Sequence, residues 1–201
     1  PILPVKLQSF ASDLPENITP YFVNNVDYWF TVLNNEITKL LPVKEPRIGV
    51  GCRIHPSVIL NVEGIKFAVD PFGRKIQFRH SGDIFIGDFV ELAAHVIVHR
   101  GTIDSTIIED GVKVGVQTNI GHNCRIGKDT VIAGAVHIAG SVTIGSSCWI
   151  GATTAIKNGV TICNNVIIGM GSLVVKDIME SGIYYGRPVK KVREYDPDFN
   201  F

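Results

Sequence analysis

The chain has 201 residues, enough for one large domain or one domain with an appendage, and with 45% apolar residues it can bury a core. Lys plus Arg equals Asp plus Glu, 19 each, so no global field draws nucleic acid to it. The longest apolar runs are far too short to cross a bilayer. No charged-then-apolar signal pattern opens the chain, and Cys52, Cys124, Cys148 and Cys163 have no Cys-x-x-Cys spacing. They read as core filler in a reducing compartment, which gives the expectation of a cytoplasmic protein.

The first predicted element is a helix over residues 25–41. It places Tyr28, Trp29, Val32, Leu33, Ile37 and Leu41 on one face, with Asn25 as cap and Pro42 as stop. This N-terminal helical segment, residues 1–46, is expected to pack on the base of the next region or on a neighbouring subunit. From residue 47 an aliphatic residue returns every sixth place: Ile48, Ile54, Leu60. Residues 61–83 then break the beat, and "KFAVDPFGRKIQF" reads as a hairpin turning at Asp70-Pro71-Phe72-Gly73. Ile86, Leu92 and Val98 restore the period. After a four-residue slip around "GTIDST" it runs unbroken from Ile108 to Val174.

A helix repeats at 3.6 residues and a strand at 2, so a period of six is a short strand plus a corner. The residue after each aliphatic one is often Gly or Ala, which is expected to let the chain bend. The place four after it holds Cys, Thr, Val or Ser, small enough to fill a narrow prism. Three hexads close a triangular coil of 18 residues, so the architecture is all-β: a parallel β-helix solenoid over residues 47–176, closed by a capping tail over 177–201.

Residues 18 apart then stack, which sorts the corner positions. One corner reads Asp110, Lys128, Ser146, Asn164 and looks like plain solvent. A second reads Val116, Gly134, Ala152, Met170 and suits a smooth slot or an interface. The third reads His122, Gly140, Asn158. A histidine at a bend can take a proton from an attacking amine or hydroxyl, and the N–H of Gly140 beside it can face an oxyanion. Asn119 and Asn123 flank the histidine and are candidates for orienting it or holding substrate; His137 stacks over Asn119 one coil on and is a candidate for contacting substrate. His55, His80 and His99 carry no assignment. A zinc reading needs three converging histidines, and His95, His99, His122 and His137 fall on different corners or faces, so no metal is expected.

The stretch "RGTIDSTIIEDGVKVGVQTNIGHNCRIGKDTVIAGAVHIAGSVTIGSSCWIGATTAIKNG" resembles the UDP-3-O-acyl-glucosamine N-acyltransferases, which are hexapeptide-repeat, left-handed parallel β-helices. The similarity extends over about residues 47–180 and includes "HPSVI" and the "GIKFAVDPFG" insert. It implies that the histidine of the "IxHN" motif, His122, is the general base, and that the glycine of "AGS", Gly140, supplies the oxyanion N–H. Val160 stands where that family has a second histidine. The tail "YYGRPVKKV" is similar instead to the "GxPAK" ending of acetyl-CoA-dependent sugar acetyltransferases, including bacterial amino-sugar N-acetyltransferases. Together these resemblances imply a homotrimer with its site between neighbouring prisms and no tightly bound cofactor. They imply acetyl-CoA as co-substrate, or an acyl carrier protein, and a nucleotide-linked amino sugar as acceptor. The pantetheine arm is expected along Gly134, Gly151 and Ala152, with Arg187, Lys190 and Lys191 at the phosphates. N- and O-acylation, the acyl length and a non-catalytic scaffold stay open at this point.

Overall fold

The structure, a computed structural model, describes residues 1–8, 15 and 17–196. The chain forms two compact units: residues 1–43 with 65–79, and residues 44–64 with the chain from 80 onward. The excursion thus groups with the N-terminal segment.

In the first unit, α1 spans Val26–Lys39. The Asn25 side chain accepts from the Tyr28 N–H at 3.0 Å, as a cap should, and Lys39 closes the last turn two residues before the expected end. The packing face differs from the expectation. Trp29, Leu33 and Ile37 are each about half exposed, whereas Thr31 is buried and Phe30 stacks on Phe78 at 5.9 Å. The reason is polar: Asn34 and Asn35 lie on the same side of α1 as Thr31, and Asn25 caps its start. Their amides donate to Val69 O, Arg79 O and Gln77 O at 2.7–3.0 Å, so this side turns toward the hairpin. The hairpin pairs Phe67–Val69 with Lys75–Gln77, antiparallel. The Asp70 carboxylate accepts from the Phe72 and Arg74 N–H groups, and Gly73 takes φ +81°. The turn therefore forms where the sequence placed it.

The second unit is a parallel-strand solenoid. One face stacks Ile59–Val62, Ile97–His99, Asn119–Ile120, His137–Ile138, Ala155–Ile156 and Leu173–Val174. The second stacks six strands from Arg47–Ile48 to Thr161–Ile162. The third runs from Arg53–Ile54 to Val166–Ile168 and is extended by Gly182–Gly186 and the antiparallel Val189–Arg193. Register follows the hexads: Ile120 pairs with Ile138, and Ile138 with Ile156. The slip is absorbed in one coil, where Ile86 pairs with Ile108. Almost every aliphatic hexad residue from Ile84 onward is buried, so replacing one by Ala costs about 2–5 kcal/mol.

The corners bend for a different reason than the sequence suggested. The left-handed backbone falls three places after the aliphatic residue, at Gln117, Asn123, Asp129, Ala135, Ser141, Ser147, Thr153 and Asn165, all with φ between 55° and 59°. The small residue directly after the aliphatic one lies instead against the next coil's backbone. At the fourth place Thr118, Cys124, Thr130 and Cys148 are buried. Each donates to a corner carbonyl 15 residues on, as Thr118 Oγ1 does to Ala133 O at 2.9 Å. They satisfy backbone acceptors as well as filling space. All four cysteines are free thiols.

Candidate functional site

The strand Asn119–Ile120 leaves the first face, turns through Gly121, His122 and Asn123, and enters the second face at Arg125–Ile126. Asn123 sits at the left-handed corner position, which amides tolerate well. This conformation brings its side chain back to His122, and His122 Nδ1 lies 2.9 Å from Asn123 Oδ1. Oδ1 also accepts from the N–H and hydroxyl of Thr102, both at 3.0 Å. An oxygen that accepts from Thr102 N–H is fixed as the carbonyl end of the amide. His122 Nδ1 therefore donates to Asn123, so the neutral form of the ring carries its proton on Nδ1 and offers the lone pair of Nε2. The group that orients this histidine is an amide, not a carboxylate.

Gly140 lies directly on the next coil, with Ser141 N–H donating to His122 O at 2.7 Å. A methyl group on Gly140 would collide with His122 Nε2, so the ring and a side chain at 140 exclude one another. Gly140 is buried, yet its N–H has no hydrogen-bond partner among the described residues. Buried backbone N–H groups are nearly always paired, so one left open beside an imidazole nitrogen is a place for a ligand oxygen. The carbonyl of the same peptide, Ala139 O, accepts from Cys124 Sγ at 3.1 Å. Burial pushes the Cys124 thiol up to about 12, so it stays protonated and donates. On the following coil Asn158, its amide turned to satisfy both partners, donates to Gly140 O and accepts from Gly159 N–H. It leaves the Gly140 N–H uncapped.

The other expected residues divide. Asn119 Oδ1 lies 2.9 Å from His99 Nε2, and His99 Nδ1 lies 3.2 Å from Glu63 O. His137 pairs with Asn119 across strands and is exposed. These three share the face that ends at the His122 corner. Gly134 and Ala152 stack on a different corner, where Thr153 N–H donates to Gly134 O at 3.1 Å. Gly151 lies against the backbone of Gly169 and Met170 on the next coil. One chain does not bring this slot to His122. Arg187 and Lys190 are exposed on the terminal hairpin. Lys191 is held by Glu180 and Glu194 at 2.6 and 2.9 Å, which raises its pKa and commits its charge. Among the described residues no group of three His, Cys, Asp or Glu side chains could hold a metal, and no helix is long and apolar enough to cross a membrane.

Sequence reasoning missed Gly64 and His80. A Cβ on Gly64 would lie 2.6 Å from His122 Cδ2 and 2.8 Å from His80 Cε1. The His80 ring stands edge-on to His122, with centroids 5.2 Å apart and planes at 81°. Burial lowers the His80 pKa to about 4, so it is neutral at physiological pH. The sole hint in the sequence was that both residues border the break in the period.

Residues 141–176 match the family model of the bacterial transferase hexapeptide (six repeats). Over 144 residues, 71% of this chain, the sequence is 40% identical to UDP-3-O-acylglucosamine N-acyltransferase from Herminiimonas arsenicoxydans, of which it covers 41%. The chain spans about two-fifths of the length of such curated relatives. The fold is shared with UDP-N-acetylglucosamine O-acyltransferase from Moraxella catarrhalis, at TM-score 0.63 and 25% identity over 74% of this chain and 56% of that one. It is shared also with AntD, an N-acyltransferase from Bacillus cereus, at TM-score 0.58 and 16% identity over 81% and 88%. Residues 141–176 of the β-helix are thus similar to the bacterial transferase hexapeptide, and 71% of the chain is similar in sequence to one part of a UDP-3-O-acylglucosamine N-acyltransferase.

Proposed function

We infer that this chain transfers an acyl group, acetyl in the first instance, from a thioester to the amino group of a nucleotide-linked amino sugar. The observation that carries the reading is the pairing of His122 Nε2, the acceptor nitrogen of the neutral ring, with the unbonded N–H of Gly140. The acceptor amine attacks the thioester carbon while His122 Nε2 takes its proton, and the carbonyl oxygen gains negative charge against Gly140 N–H. The C–S bond then breaks, and the imidazolium returns the proton to the departing thiolate. Atoms and charge balance without a metal.

A coenzyme A donor is supported by AntD, solved with coenzyme A and dTDP-4-amino-4,6-dideoxyglucose, and by a PglB acetyltransferase domain solved with acetyl coenzyme A. The pantetheine arm runs along Gly134, Gly151 and Ala152, and Arg187 and Lys190 meet its phosphates, with Lys191 the weakest of the three cations. Base and slot occupy different corners of one prism, so a site that uses both takes them from two copies. A homotrimer in the cytoplasm is the corresponding assembly. Asn119 and His137 hold the sugar, and Asn123 orients the base.

The second reading is an acyl carrier protein as donor and a 3-O-acylated UDP-glucosamine as acceptor, favoured by the 40% identity to enzymes of that name. Calorimetry with acetyl-CoA and with a loaded carrier protein decides between them. Acetyl-CoA binding is expected. Binding of the carrier protein alone establishes the second reading, and binding of neither overturns both.

A further inference from the structure

The chain leaves the β-helix after Val62 and rejoins it before the strand Ile84–Ile86. The excursion between, residues 65–79, belongs to the α1 unit. The two residues that border it inside the β-helical unit, Gly64 and His80, both lie against the His122 ring. They are also bonded to each other: Gly64 N–H donates to His80 Nδ1 at 3.1 Å, in a buried place. A buried N–H requires an acceptor, and neutral imidazole is both an acceptor and a flat wall. On the other side of the peptide link, α1 holds the returning strand. Asn35 receives Arg79 N–H at 2.8 Å and donates to Gln77 O, and Asn34 donates to Arg79 O. The residue next in sequence is His80.

The His122 ring has two soft torsions. The bond to Asn123 fixes the rotation about Cβ–Cγ. Gly64, set against the Cδ2 edge, and His80, edge-on to the ring, fix the swing of the whole ring and so the place of Nε2 relative to Gly140. We propose that Gly64 and His80 are positioning residues that clasp His122. The rate part of this proposal rests on His122 being the base; the spectroscopic part does not.

The test uses the full chain labelled with ¹⁵N-histidine. His122 resonances are assigned by their loss in His122→Gln, and they read its tautomer. The wild type is expected in the Nδ1–H form. His80→Phe keeps a flat ring but cannot accept from Gly64, and it is expected to mix the His122 tautomers. In acyl transfer it is expected to lower kcat on the order of tenfold, as a displaced base does, with KM values held to within about twofold. His80→Asn, whose carbonyl can replace Nδ1, restores most of both. An unchanged His122 spectrum in His80→Phe overturns the clasp, and so does a changed spectrum with unchanged kcat. If His80→Phe does not fold, an unchanged spectrum in His80→Leu, which also cannot accept from Gly64, overturns it equally. If the wild type transfers no acyl group from any donor, the enzymatic reading fails while the spectra still decide the clasp.

Discussion

Two corners of the same prism have nearly the same backbone and opposite chemistry. At the corner of Asp110, Lys128, Ser146 and Asn164, side chains from neighbouring coils cap the exposed N–H groups. Asp88 N–H goes to Asp110 Oδ1 at 3.0 Å, Ser146 N–H to Asn164 Oδ1 at 2.8 Å, and Lys128 N–H to Glu109 Oε2 at 3.3 Å. At the corner of His122, Gly140 and Asn158 the capping stops. The Gly140 N–H stays open, and Asn158, placed like Asn164 over its neighbour, turns to the Gly140 carbonyl instead. The N–H of Gly134 at the slot corner is open as well, but Gly134 is partly exposed to water, whereas Gly140 is buried beside an imidazole.

The largest break in this contrast is His122→Ala. Acyl transfer is expected to fall by about 10²–10⁴ with the fold intact, because the general base is gone. A scaffold would keep its function, and steady-state rates with native circular dichroism separate the two. Next is Gly140→Ala, whose methyl displaces the His122 ring, so kcat should drop by on the order of 10²-fold. If activity survives, Nε2 does not work against this glycine.

Stability sharpens the comparison further. His80 has a folded pKa of about 4 against an ordinary value of 6.5. The unfolded chain therefore binds the proton first. The stabilising contribution is complete above pH 6.5 and is lost as pH falls toward 4, by up to about 3 kcal/mol over the window. Urea unfolding at stepped pH should show this slope, and His80→Gln should flatten it. The smallest effect belongs to the solvent corner. Asn164→Ala removes a cap from Ser146 N–H where water can replace it, costing about 0.5–1.5 kcal/mol and no activity.

What could be read without coordinates was whatever adds up along the chain. Period six gave three faces, and stacking by 18 placed Gly140 on His122, because each coil contacts only its neighbours. The excess of four residues around Gly101–Asp104 spoiled that addition locally, which hid Asn123 Oδ1 closing on Thr102. For α1, the apolar periodicity of Trp29, Leu33 and Ile37 named a face, but not what would cover it. Three asparagine amides with backbone partners decided the packing side instead.

The sequence by itself determined the solenoid, its register and the pairing of a histidine with a glycine one coil away, since these follow from a local period repeated. Tertiary structure alone decided the tautomer of His122, the open N–H of Gly140, and the return of Gly64 and His80 to the same ring. Those depend on where a chain comes back after leaving its repeat. That place is set by long-range hydrogen bonds such as Gly64 N–H to His80 Nδ1, which no periodicity encodes.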